Sequence, residues 1–186
     1  MRVRGSLITT LPKIIRKKFG AEGLDQWLAK ISPEARELYL ESIDSKGWYP
    51  LQASLLEPFA NVAQLFYNWD IKDAAWEFGR AGADMRFWGP SKALMKIPSP
   101  SFFVNKGFDY LKTYYDPCRV ELIENKSNGC VQRIMEFPVP SSTVEYRVCG
   151  WVQRGLEICG CKDVQVEIPK SLVNLDPYTE FVVTWK

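Results

Sequence analysis

Histidine is absent from all 186 residues. That absence excludes Ser–His and Cys–His catalytic pairs and takes away the commonest metal and heme ligand. The cysteines are Cys118, Cys130, Cys149, Cys159 and Cys161. Three thiolates and an oxygen can hold zinc, but no CxxC pair occurs, and Cys149 falls inside a helical pattern. The cysteines therefore read as buried small hydrophobes. Glu121 and Glu136 are the acid pair that a hairpin brings closest, and such carboxylates are ordinarily solvated rather than catalytic. "FGRAGADMRFWG" contains Gly79 and Gly82 but matches neither a phosphate loop nor a dinucleotide fingerprint. Both glycines read as packing positions that let a neighbouring backbone approach. No acid, base and nucleophile converge, so no enzyme is expected.

Aromatics carry more signal, at 13% of the chain with seven Trp. "GFDYLKTYYDPCRVELIE" places Phe108, Tyr110, Tyr114 and Tyr115 in one short segment. A helix from about Phe102 to Tyr114 puts Phe103, Tyr110 and Tyr114 on one face. Such a stripe fills a core or lines a cavity. Tyr hydroxyls need partners when buried, which speaks for a cavity more than a Phe stripe does. Trp48 and Tyr49, in the turn "KGWYP", either hold that loop in the core or rim a pocket.

The elements that position these residues follow from periodicity. Leu7, Leu11, Ile14 and Ile15 recur at helical spacing, and Gly20 is the expected stop. A short helix covers about Leu24 to Lys30. Ser32 caps a third helix with Pro33 at its first position. Leu55, Phe59, Val62 and Phe66 mark a fourth, which Pro58 kinks or delays. Ile71, Ala75, Phe78 and Met85 mark a fifth. "GPSKALMKIPSPS" separates it from the Tyr-rich helix.

After residue 115 the pattern turns to strands. Asn128-Gly129 signals a type I′ hairpin. A two-residue loop there sets Glu124 against Arg133, Leu122 against Met135 and Val120 against Phe137, with Glu121 opposite Glu136. Ser142 and Glu145 read as a capping box opening a helix that Gly160 ends, with Val144, Val148, Trp151 and Val152 on its core face. Val164, Val166 and Ile168 alternate as a third strand, and Phe181, Val183 and Trp185 as a fourth. The expected fold class is α+β. A helical part over residues 1–115 packs on an antiparallel ββαββ sheet over residues 116–186, in a single domain of 1–186.

The totals fit this. Hydrophobic content of 46% and charged content of 25% are those of a globular chain. A net charge of +2 is too small to imply nucleic acid. The charge is uneven, however: Arg2, Arg4, Lys13, Arg16, Lys17 and Lys18 precede the first acid, Glu22. That run reads as a solvated helix face, or as a docking face for an acidic partner or a phospholipid surface. No signal peptide and no run near the ~18 apolar residues of a membrane span occurs, so a cytoplasmic location with reduced thiols is expected.

This order of helices, hairpin, helix and hairpin resembles the heme-nitric oxide/oxygen binding (H-NOX) fold. That fold is shared with 4-vinyl reductase-type ligand-binding domains and the TRAPP trafficking subunits. "VRGSLITTLPKIIRKKFG", "GWYP", "WEFGRAG", "GWVQRGLEICGCKDVQVEI" and "DPYTEFVVTW" carry the resemblance across nearly the whole chain. "VRGS", "WYP", "YYD" and "EF…W" also resemble, in the same order, a group of proteins of similar length abundant in myxobacteria. H-NOX proteins ligate heme iron through a His on the helix before the first hairpin, which here ends "FDYLKTYYD". They hold the propionates with Tyr-x-Ser-x-Arg, which is missing from Met135 to Arg147. A Tyr ligand, Tyr110 or Tyr114, is a remote substitute.

The resemblance therefore implies a heme-free, non-enzymatic sensor or signalling adaptor with no cofactor and no metal. "EIPKSLVNLDPYTEF" lacks the Cys cluster of the 4-vinyl reductase type. The implied ligand is small and apolar, in a cleft lined by Trp48, Tyr49, Phe78, Phe103, Tyr110, Tyr114 and Met135. Its binding would shift the helical part against the sheet and alter a contact with a protein partner or a second copy. No nucleic acid is implied. The alternative implied is a scaffold with a filled core, like the TRAPP subunits.

Overall fold

Local signals explain most of the helices in the computed structural model, which describes residues 1–88, 99–107 and 109–186. The chain divides into two compact units. The first holds Met1–Ala74 with Tyr114–Asp116, and the second holds Ala75–Thr113 with Pro117–Lys186. The grouping thus differs from a division at residue 115, because the helical segments between residues 75 and 113 cluster with the sheet.

In the first unit, β1 (Arg2–Arg4) runs into α1 (Gly5–Ile8) and then α2 (Thr10–Lys30). Gly20 does break this helix: its φ of 75° and ψ of −172° kink α2 and the path resumes to Lys30. Ser32 caps α3 (Pro33–Leu40) by accepting from the Ala35 N–H at 3.2 Å. A π-helical stretch, Gln52–Leu56, leads into α4 (Glu57–Phe66). Pro58 follows directly on the π-helical stretch, near the start of α4, and the backbone stays helical through Leu56 and Glu57. The Pro58 carbonyl accepts from the Trp27 indole at 2.8 Å. Ile8, Leu11, Ile15, Trp27, Leu55, Phe59 and Val62 are fully buried.

A small sheet in this unit has no counterpart in the sequence reading. β1 lies between β2 (Trp48–Pro50) and β3 (Tyr115–Asp116), antiparallel to both. Strands of two or three residues are too short to show a period, so pattern could not have found them.

The second unit contains most of α5 (Ile71–Trp88), α6 (Pro100–Gly107), most of α7 (Asp109–Tyr114) and the ββαββ part. Phe108 and most of "GPSKALMKIPSPS" lie outside the described residues. The strands β4 (Arg119–Lys126), β5 (Gly129–Glu136), β6 (Gln165–Lys170) and β7 (Thr179–Thr184) form one antiparallel sheet in the order β4-β5-β7-β6. α8 (Ser142–Ile158) lies between the two hairpins in sequence. Its buried residues Val144, Val148, Val152 and Leu156 recur every fourth position, which places them on one side of the helix.

The hairpin register differs from the expectation. Lys126 pairs with Gly129, so Ser127 and Asn128 form the turn. A bulge between Leu122 and Glu124 then sets Glu121 opposite Arg133 and Val120 opposite Ile134. The expected clash of Glu121 with Glu136 does not arise: Arg119 faces Glu136. Gly129 serves the sheet rather than the turn, since a Cβ there would lie 2.9 Å from the Val183 carbonyl oxygen on β7. The capping box also fails to form. Ser141 is the N-cap of α8, without a side-chain hydrogen bond, and Glu145 is used elsewhere. Gly160, with φ of 96°, ends α8 as expected, and the Cys161 N–H closes the turn on the Leu156 carbonyl at 3.1 Å.

Candidate functional site

In the second unit α5 and α8 meet backbone to backbone. A Cβ on Gly79 would lie 2.1 Å from the Arg147 carbonyl oxygen, and one on Gly150 would lie 1.9 Å from that of Trp76. Each helix thus presents a glycine to the other's main chain. Gly82, read in the same way from sequence, has only Trp151 Cδ1 at 4.0 Å and is not part of the crossing.

Polar side chains join the same two helices. The Trp76 indole and the Arg80 guanidinium donate to Gln153 Oε1 at 2.8 and 2.7 Å. Arg80 also grips Glu157 with two parallel bonds, at 2.9 and 3.0 Å. Arg154 donates to Asp84 at 2.8 Å and to Glu157 at 3.0 Å. Burial pushes the Glu157 carboxyl pKa up, but the hydrogen bonds from Arg80 and Arg154 outweigh it, so the group sits below the ordinary carboxylate range.

The tight crossing positions an aromatic cluster centred on Trp151. Phe103 stacks on the indole with centroids 5.0 Å apart and planes at 25°. Phe87 lies 6.1 Å from Trp151 and 6.0 Å from Phe103. Tyr110 meets Trp151 edge-on at 6.3 Å, with the Arg86 guanidinium 5.6 Å over its ring. Two glycines make room: Gly155 faces the Phe103 ring, where a Cβ would lie at 2.2 Å, and Gly107 faces Trp151 at 3.3 Å. Phe103 is buried, whereas Phe87, Tyr110 and Trp151 are half-buried. α6 is tied down beside them, for the Gln132 side chain donates to the Val104 carbonyl at 2.9 Å.

The structure brings together two of the residues expected to line a cavity, Phe103 and Tyr110. It adds Phe87 and Trp151, which the sequence reading missed. By pattern Trp151 falls on the core face of α8, and only the small residues flanking it, Gly107 and Gly155, hint at a ring being accommodated. Phe78 is fully buried on α5. Met135 is half-buried on β5, on the strand face opposite buried Ile134. Trp48, Tyr49 and Tyr114 belong to the first unit. There Arg4 lies 4.8 Å over the Trp48 ring, and the Tyr49 hydroxyl accepts from the Asp44 N–H at 3.0 Å.

One cluster has the residue types of acid–base chemistry. The Ser171 hydroxyl lies 2.8 and 2.9 Å from the two Glu145 oxygens, and Thr179 donates to the same carboxylate at 2.5 Å. All three residues are buried. Ser171 Oγ also accepts from the Val173 N–H at 3.0 Å, and Thr179 Oγ1 from that of Leu172. The hydroxyls are fully used in clamping the β6–β7 connection to α8.

No family model matches the chain, and no curated protein matches it in sequence. Solved structures do match. An H-NOX protein from S. oneidensis in the Fe(II)NO ligation state shares 15% identity at a TM-score of 0.74, covering 98% of this chain and 99% of that one. A mutant H-NOX protein from K. algicida, Fe(II) unliganded, shares 16% at a TM-score of 0.68, with 98% and 96% covered. A mutant of T. tengcongensis H-NOX shares 13% at 0.66, with 98% and 97% covered. The fold is that of the H-NOX domains.

The donor set of this H-NOX-like chain does not fit a heme iron. It has no His. The Tyr110 ring, on the helical segment before the hairpin, is engaged by Trp151 and Arg86. Burial pushes Cys118 and Cys159 up to about 11 and Cys130 up to about 12, and raises Cys149 and Cys161.

Proposed function

We propose that this chain is a heme-free, small-molecule-binding domain acting as a cytoplasmic sensor or signalling adaptor. The observation that carries the reading is the half-buried aromatic wall of Phe87, Tyr110 and Trp151, floored by Phe103. Stacked and edge-on rings with one cation offer a flat apolar surface to a small, uncharged, planar guest. The H-NOX-like fold supports a sensing role by analogy. The reading is of a binding domain rather than an enzyme, because the Glu145–Ser171–Thr179 cluster is buried and satisfied. Occupation of the wall would alter a protein contact elsewhere on the domain.

A second reading is favoured by Phe103. Its ring already fills the notch at Gly155, as in a scaffold whose core is closed and whose surfaces alone bind partners. Native mass spectrometry of the purified chain separates the two. A retained small molecule, lost in Trp151→Ala while circular dichroism stays native, supports the sensor. A ligand-free homodimer that also rejects added planar apolar compounds would sink it in favour of the scaffold.

A further inference from the structure

Of the 24 basic residues, six lie before position 22 in a stretch that contains no acid. Lys13, Arg16 and Lys17 among them are exposed on α2. Their i, i+3, i+4 spacing sets them side by side on the face opposite buried Leu11, Ile14 and Ile15. None of the three has an ion-pair partner among the described residues. Phe19, three residues after Arg16, carries this surface to the Gly20 kink. Its ring stacks on Phe66 of α4 with centroids 4.0 Å apart and planes at 9°.

Just past α4, Asn68 and Trp69 take left-handed backbones, with φ of 49° and 68°. Such a conformation is strained for Trp. Tyr67 and Trp69 N–H groups both donate to the Ala63 carbonyl at 3.0 Å and hold the turn. The indole of Trp69 is left 66% exposed. The cations of α2 and the outstanding indole after α4 both belong to the first unit, and the two helices meet at the Phe19–Phe66 stack.

We propose that cations and indole make up one face, which docks peripherally on an anionic lipid surface. Lys13, Arg16 and Lys17 meet the headgroups, and Trp69 enters the interfacial layer. Indoles settle at headgroup level because one edge is polar and the body apolar, and polybasic segments add Coulomb attraction to anionic lipid. An acidic protein would satisfy the cations but would need a cavity matched to a projecting Trp, whereas a bilayer deforms around it. Asp70 and Asp73 lie near Trp69 and oppose docking. Asp70, however, accepts the Lys72 and Asp73 N–H groups at 3.0 and 2.9 Å, so the start of α5 offsets part of its charge.

The test is sedimentation of the full chain with phosphatidylcholine vesicles, with and without phosphatidylserine. Binding is expected only with phosphatidylserine, and it should weaken with salt. Lys13→Gln, Arg16→Gln and Lys17→Gln are each expected to lower the partition coefficient about fivefold, and the triple variant about a hundredfold. Trp69→Ser should weaken it with the charges intact. All four sites are exposed, and circular dichroism checks that the variants fold. Failure to sediment with anionic vesicles, or a triple variant that sediments like the parent, overturns the proposal. Binding to soluble poly-glutamate that Trp69→Ser leaves unchanged, without vesicle binding, overturns it in favour of an acidic protein partner.

Discussion

Gly79 and Gly150 set the distance at which α5 and α8 cross, and each leaves room for backbone rather than for a flexible side chain. That distinction decides the sign of a substitution. Gly150→Ala drives a Cβ to 1.9 Å from the Trp76 carbonyl oxygen, which neither helix can relieve locally. We expect a loss of about 1–3 kcal/mol or more in urea unfolding. Gly82→Ala, on α5 with open space around it, should instead gain up to about 1 kcal/mol from helix propensity. Equal effects at the two positions would contradict the crossing. Only half of this was legible. The pairing of Gly79 with Gly82 marked a close approach on α5, but Gly150 inside the well-patterned α8 gave no sign that another main chain passes over it. The thiols belong to the same scale. Burial holds Cys130 near about 12, while the unfolded thiol titrates near ~8.5. Its contribution to stability is complete below that ordinary value and falls away as the pH rises through the folded one. Unfolding should thus become easier from mildly alkaline pH upward, and Cys130→Ala should blunt that slope. A slope unchanged by Cys130→Ala would exclude this thiol as its source.

At the scale of elements, the polar contacts between α5 and α8 turn on Glu157, which accepts from two guanidinium groups. Its carboxyl titrates below the ordinary value in the folded chain. The contribution is therefore present in full above that value, ~4.3, and is lost as the pH falls through the lower, folded one. Glu157→Gln should cost about 1–2 kcal/mol at neutral pH. The gap between parent and variant should narrow in acid, and a gap constant down to pH ~2 would rule out the ion pairs as its cause. The sequence marked both helices and their apolar faces but not these contacts, since nothing in the spacing of Arg80, Asp84, Arg154 and Glu157 shows that they meet. The β4–β5 hairpin shows the same limit. Asn128-Gly129 announced a turn in the right place, yet the register was off, because Gly129 answers to β7 and not to the loop. Likewise Glu145 had the spacing of a capping box but turns to Ser171 and Thr179. A short motif lists what a residue can bond, and tertiary packing chooses among the options.

For the whole molecule, element order gave the α+β class, and a family resemblance in that order and in stretches such as "WEFGRAG" and "DPYTEFVVTW" pointed to the H-NOX-like fold. The residues around Trp151 were less legible, since they come from α5, α6, α7 and α8 and only the folded chain unites them. Iron chemistry is where fold and residues diverge most. The structural neighbours include Fe(II) states, yet this chain lacks His entirely. A porphyrin could still associate through its apolar faces without an axial bond. The discriminating measurement is therefore ligation rather than retention. Titration of the purified chain with hemin should give a broad, weak Soret band without stoichiometric saturation, and ferrous reduction followed by carbon monoxide should leave no sharp ligated spectrum. A sharp band that saturates at one equivalent would show that a side chain of this protein does bind the iron. If Tyr110→Phe then abolished that band, Tyr110 would be the ligand, and the aromatic wall at Trp151 would have to open to release it.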